Sequence, residues 1–112
     1  MEDLTKKKCE ACEGGVEPLT REQFSNYLEQ VSQWSIDDND KKMERELTFN
    51  NFKEALKFVN DVGAIAEEEG HHPNIYMYGW NNVKLILYTH AIGGLSINDF
   101  IVATKIDRIN IK

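Results

Sequence analysis

The stretch Glu67-Glu-Glu-Gly-His-His-Pro73 ends one hydrophobic period and starts another, and this switch constrains the fold more than any other feature of the chain. From Asn51 to Glu69 the apolar residues Phe52, Ala55, Leu56, Val59, Val62 and Ala66 recur on one helix face, and Phe58 and Ile65 widen it. After Pro73 the pattern alternates, through Ile75-Tyr-Met-Tyr-Gly-Trp80 and then Val83-Lys-Leu-Ile-Leu-Tyr-Thr89, as half-buried strands do. Gly70 supplies the left-handed residue that commonly closes a helix, and Pro73 biases His72 toward extended backbone. The junction predicts a rigid helix-to-strand corner carrying two imidazoles, followed by a hairpin that turns at Asn81-Asn82.

The same two periods occur upstream. Thr20-Arg-Glu-Gln23 reads as a capping box opening a helix that runs to about Ser32, with Phe24, Tyr27, Leu28 and Val31 as its apolar stripe. Trp34 and Ile36 suggest a short strand and Asp37-Asp-Asn-Asp40 a tight turn. Met43, Arg45, Leu47 and Phe49 then alternate with Glu44, Glu46 and Thr48, with Arg45 the exception in the apolar set. Downstream, Gly93-Gly94 breaks the last strand, and Ser96-Ile-Asn-Asp99 opens a final helix with a Ser N-cap and an acidic residue at N3. Hairpins make antiparallel neighbours and every helix has one apolar stripe. The expected fold is therefore α+β, a four-stranded antiparallel sheet with three helices packed on one face in the order α-β-β-α-β-β-α. The helix over 51–69 is expected to be the most buried.

One domain accounts for 112 residues. Residues 1–18, charged and non-periodic, read as an N-terminal tail or irregular cover, and 19–112 as the folded domain. A net charge of −6 argues against direct nucleic-acid binding, which relies on clustered Lys and Arg. No apolar run is long enough to span a bilayer, and the N-terminus lacks the apolar core of a secretory signal, so a cytoplasmic location is expected. Cys9-Glu-Ala-Cys12 has the spacing of half a zinc ribbon or of a redox pair, but the chain holds no second pair. A structural tail is the preferred reading there, with no metal and no cofactor.

His71, His72 and His90 are all the histidines present. Counting back from a turn at Asn81-Asn82 puts position 72 or 73 opposite position 90, so the three should gather at one end of the sheet. Adjacent residues of an extended segment point to opposite sides, and the helical His-x-x-x-His zinc spacing is absent, which weakens a metal reading. Histidine titrates near neutral pH without much tuning, which favours acid/base work, and Glu67 and Asp99 stand where they could orient or charge the imidazoles. Surface or capping histidines remain the plain alternative for an arbitrary His-His pair.

Glu67, three residues, His71-His72-Pro73, six residues, Trp80, nine residues, His90, eight residues and Asp99 resembles the signature of the pterin-4a-carbinolamine dehydratase family, and the likeness runs from Thr20 to Ile109. The resemblance implies a hydro-lyase that converts 4a-hydroxytetrahydropterin to quinonoid dihydropterin and water, supporting tetrahydrobiopterin recycling for aromatic amino acid hydroxylases. It implies a catalytic set of His71, His72 and His90, with His71 and His90 moving protons and His72 holding the substrate. Glu67, Pro73, Trp34 and Asp99 become substrate-binding candidates. A small-molecule pterin substrate and a homodimer or homotetramer come with the family, and neither metal nor cofactor does. The sequence departs from animal members at Gly70, where aspartate is common, and at Asn98, where arginine is common; the Cys9-x-x-Cys12 extension is similar to microbial-type members. The family also admits other roles: a non-catalytic dimerisation or transcriptional co-regulator protein of the same fold, and a pterin-related role linked to molybdopterin enzymes.

Overall fold

The computed structural model describes residues 3–9 and 17–109; Cys12, and with it the Cys-x-x-Cys spacing, lies outside the described residues. Helix α1 (Arg21–Phe24) continues as 3-10 turns over Ser25–Val31 and leads to strand β1 (Ser35–Ile36). Then follow β2 (Met43–Thr48), α2 (Phe52–Glu69), β3 (Asn74–Tyr78), β4 (Asn82–Leu87) and α3 (Ile97–Asp107), with single 3-10 turns at Leu4–Lys6 and His90–Ile92. The sheet has four strands in the order β1-β2-β4-β3, every neighbouring pair antiparallel. The α+β architecture expected from the periodicity is the one observed. Among the described residues no helix is long and apolar enough to cross a membrane.

The register shows why the alternation works. Met43 faces Leu87 and Leu47 faces Val83 on the helix-covered side, where Met43, Val83, Leu85 and Leu87 are fully buried. Arg45 shares that side, and its charge is met by Asp107 of α3, which also accepts the indole N–H of Trp34 at 2.9 Å. Burial pushes the Asp107 carboxyl above its usual range, against the opposing pull of Trp34 and Arg45. The other side of the sheet carries Glu44, Glu46, Tyr76, Tyr78 and Lys84.

Three local expectations are corrected. The second hairpin turns at Gly79–Asn81, one to two residues earlier than Asn81-Asn82, because Tyr78 already pairs with Asn82 and positive φ falls on Gly79 (56°) and Trp80 (58°). A Cβ on Gly79 would stand 2.9 Å from the Asn82 side-chain amide, so both conformation and space favour glycine there. The first helix keeps its capping box but is α-helical for one turn only. Ser25 donates its hydroxyl to the Glu22 carbonyl at 2.9 Å, the local side-chain competition that tightens or interrupts helices.

The third correction concerns burial. α3, not α2, is the most enclosed helix: every residue from Asn98 to Thr104 is buried, whereas α2 buries Ala55, Phe58, Val62, Ala66 and Glu69 and leaves Phe52 and Leu56 exposed. The cause is a third neighbour. α3 packs against α2, against the Ser25–Val31 turns, and against Leu4–Lys6 of the N-terminal stretch, where Leu4 is fully buried. The N-terminal cover thus closes the side of α3 that periodicity alone leaves open.

Candidate active site

The corner at the end of α2 forms as its residues dictate. Gly70 closes the helix at φ 65°, its N–H bonded to the Ala66 carbonyl, and the His71 N–H takes the same carbonyl at 3.2 Å. Pro73 is buried, and β3 begins immediately after it. His71 and His72 consequently leave the chain in different directions and find different carboxylates. His71 Nε2 lies 2.6 Å from Asp99 Oδ1, at the start of α3, with side chains 13% and 0% exposed. His72 Nε2 lies 2.5 Å from Glu67 Oε2, on the last turns of α2, with side chains 59% and 80% exposed.

Asp99 is the best-satisfied group of the corner. Its Oδ1 faces His71, and its Oδ2 accepts the Thr89 hydroxyl at 2.8 Å and the Ser96 backbone N–H at 3.0 Å, the latter being the reciprocal half of the capping box. A carboxylate can only accept, so His71 must donate through Nε2–H, and a neutral imidazole then keeps an open lone pair at Nδ1. The same logic makes His72 donate to Glu67.

His90 occupies the 3-10 turn just past β4, exposed, with its Nδ1 3.2 Å from the Tyr88 hydroxyl. Counting from an Asn81-Asn82 turn places position 72 or 73 opposite 90. The observed register, Asn74 opposite Ile86, runs two residues tighter and, continued outward, brings position 71 alongside 89. Thr89 points inward to Asp99 and His90 outward to Tyr88. Thr89 and His71 thus share Asp99, and His90 is the next residue along the chain from Thr89.

The other candidates are placed as follows. Glu67 stands at the surface beside His72, and Pro73 is packed under the corner. Trp34 is 7% exposed and anchored through its indole N–H to Asp107. Asp107 lies eight residues beyond Asp99 on α3, about 12 Å along the axis at ~1.5 Å per residue. Trp80 is exposed at the tip of the β3–β4 hairpin, at the end of the sheet away from the histidines. A groove of about 590 Å³ runs along the β3 edge past Tyr76, Tyr78, Lys84 and Ile86, and none of the histidines lines it.

Periodicity and spacing missed two supporting groups. Thr89 carried a signal, a hydroxyl where the inward row Val83, Leu85, Leu87 calls for an apolar side chain. Glu69 carried none. It is the last residue of α2 and almost wholly buried, one oxygen accepting the Cys9 N–H at 2.9 Å and the other the Lys105 ammonium at 2.5 Å. Burial pushes its carboxyl upward, but Lys105 and the Cys9 N–H outweigh that and hold it below the ordinary carboxylate value. Cys9 completes the contact by reaching the Asn98 carbonyl at 3.6 Å, and burial together with the Glu69 charge pushes its thiol up to about 12.

Comparison with known proteins sets this geometry in a lineage. The family profile described as pterin 4 alpha carbinolamine dehydratase matches residues 17–109. A relative in Alkaliphilus metalliredigens, provisionally named for the same activity, is 44% identical over 109 residues, covering 96% of either chain. Pterin-4-alpha-carbinolamine dehydratase 2, mitochondrial, of Arabidopsis thaliana is 41% identical and spans all of this chain, which in turn covers 62% of the plant protein. A crystal structure described as a transcriptional coactivator/pterin dehydratase from Brucella melitensis superposes with a TM-score of 0.74 at 26% identity, covering 81% of this chain and 96% of that one. With the matched segment taking in every element from α1 to α3 and both histidine–carboxylate pairs, the chain belongs to the pterin-4-alpha-carbinolamine dehydratase family.

Proposed function

We propose that the protein dehydrates 4a-hydroxytetrahydropterin to quinonoid dihydropterin, supporting tetrahydrobiopterin recycling for aromatic amino acid hydroxylases in the cytoplasm. The observation that carries this reading is the His71–Asp99 pair, in which a wholly buried carboxylate with three donors holds one imidazole nitrogen and leaves the other open. The reaction asks for little more than proton traffic. A proton leaves N5, the C4a–O bond breaks as the N5 electron pair forms the C4a–N5 double bond, and the departing hydroxyl takes a proton to become water. His71, with Nδ1 free, accepts from the substrate. His90, whose Nδ1 faces the Tyr88 hydroxyl, presents its other nitrogen for donation to the leaving group. His72, outside the buried network, holds the pterin together with Glu67, Pro73 fixes the corner beneath them, and no metal or cofactor is needed. Positioned acid/base groups of this kind supply typically ~10² to 10⁴ in rate.

The test is a stopped-flow dehydration assay on purified protein. Replacing His71 or His90 by Ala should lower kcat at least ~10-fold with an unchanged circular dichroism spectrum, and wild-type rates in both variants would reject the assignment. We also propose a homodimer or homotetramer, because β3 is an open edge strand paired on one side only; light scattering reads the mass. A second reading, co-regulation of transcription, draws on the coactivator description of the Brucella structure. It predicts that H71A and H90A still recover a regulator in a pull-down.

A further inference from the structure

β4 turns Val83, Leu85 and Leu87 toward the helices, all fully buried. The next inward position is Thr89, 3% exposed. A hydroxyl buried without partners is costly, so its bonds explain its presence in an apolar row. Its oxygen lies 2.8 Å from Asp99 Oδ2 and 2.7 Å from the Ser96 hydroxyl. The proton directions follow from donor chemistry. The carboxylate can only accept, so Thr89 donates to Asp99; its single proton is then spent, so Ser96 donates to Thr89. The Ser96 oxygen accepts in turn from the Asn98 backbone N–H at 3.2 Å. A one-way chain runs from Ser96 through Thr89 to Asp99, and His71 meets it at the other carboxylate oxygen.

We infer that Thr89 is a positioning residue of this site: its hydroxyl fixes the rotamer of Asp99 and shares its charge, which holds His71 as the Nε2–H tautomer with Nδ1 as the proton acceptor. The inference rests on the reading of His71 as a proton-transfer group. A carboxylate turns easily about its last torsion, whose energy wells are broad. With Thr89 and the Ser96 N–H both on Oδ2, turning it breaks two bonds beside the one to His71. Thr89 is itself fixed by the backbone, because its N–H donates to the Gly94 carbonyl at 2.7 Å across an isolated antiparallel bridge. The bridge closes the 3-10 turn that carries His90, so one residue sets the places of Asp99 and of the His90 turn. Among the described residues, the titratable groups that face Asp99 include His71 from the corner and the Cys9 thiol from the N-terminal segment, and Cys9 in turn meets the paired Glu69 and Lys105 of α2 and α3.

Two substitutions separate hydroxyl from packing. Thr89→Val keeps the shape and deletes the donor; Thr89→Ser keeps the donor and deletes a methyl group. Val should lower kcat ~10-fold or more while Ser stays within ~3-fold of wild type. Asp99 then no longer shares its charge with the hydroxyl, so the kcat–pH profile of the Val variant should differ from that of wild type, and that of Ser should not. Imidazole ¹⁵N spectra, simple with three histidines, should show His71 as Nε2–H in wild type and Ser and a changed population in Val. An unchanged tautomer and pH profile in Val overturns the inference, as does the reverse order, Ser impaired and Val active, which packing alone would produce. The spectra need no substrate. A protein that lacks dehydratase activity but whose His71 tautomer still follows Thr89 would refute the function and uphold the positioning.

Discussion

Two neighbouring histidines each meet a carboxylate at nearly the same distance, 2.6 Å for His71 with Asp99 and 2.5 Å for His72 with Glu67, yet the two pairs are physically unlike. The first is dry, Asp99 being wholly buried; the second has both side chains more than half exposed. Coulomb energy at fixed separation scales inversely with the local dielectric, so a contact that water screens is several times weaker than the same contact in the interior. Exposed ion pairs contribute ~0–1 kcal/mol. Distance therefore does not rank these pairs; desolvation and the other partners of each carboxylate do. The buried pair can specify a tautomer and the exposed pair can only bias one, which suits a proton-transfer role for His71 and a holding role for His72.

The sharpest way to break the comparison is to neutralise each carboxylate without changing its size. Asp99→Asn should lower kcat by ~100-fold or more, because His71 loses the acceptor that fixes its proton and the amide can present a donor in its place. If Glu67→Gln lowers kcat equally, burial does not distinguish the pairs. The next largest effect is on stability and concerns Glu69, two residues from Glu67 on the same helix but almost wholly buried. Its folded-state carboxyl titrates below the ordinary 4.5, so it contributes stability above that value and loses the contribution as pH falls through its lowered value. Glu69→Gln should cost about 2 kcal/mol at pH 7, and the melting curves of variant and wild type should converge below about pH 4.5. A gap that persists undiminished in acid would place the effect in packing rather than charge.

The buried pair was legible in part. The separation from His71 to Asp99 and the Ser96 N-cap were readable as chain features, and alternation about Pro73 was enough to send the two histidines apart. The hairpin register was not, because the turn was set by positive φ at Gly79 and Trp80, and a tryptophan there gives no signal of left-handed backbone. That two-residue error moved the expected partner of the corner from 88 to 90 and hid Thr89, the residue that joins the strand end to Asp99. Glu69 was invisible for a different reason. Its partners, Cys9 and Lys105, are 60 and 36 residues away, and a carboxylate among Glu67, Glu68 and Glu69 looks like its neighbours until tertiary packing selects one. The burial of α3 escaped likewise, since its third neighbour is a stretch with no periodicity.

Gly70 stands between the end of α2 and both histidines, and its replacement tests whether the corner acts as one rigid piece. It has φ 65° with open space where a Cβ would go, so Gly70→Ala meets no clash and costs only the left-handed backbone, about 1 kcal/mol by chemical denaturation. A much larger loss would mean that the corner cannot hold its shape with any side chain there. The smallest effect belongs to the wet pair. Glu67→Gln should leave the melting temperature unchanged and raise KM by ~3-fold or less, with kcat preserved, since an exposed hydrogen bond can still be made by the amide and solvent replaces what is lost. Raising the salt concentration should shrink even that difference, whereas the effect of Asp99→Asn, in a buried network that ions do not reach, should persist at high salt. Salt dependence thus divides the two carboxylates without reference to distance, and a salt-sensitive Asp99→Asn phenotype would show that water reaches the His71 network during turnover.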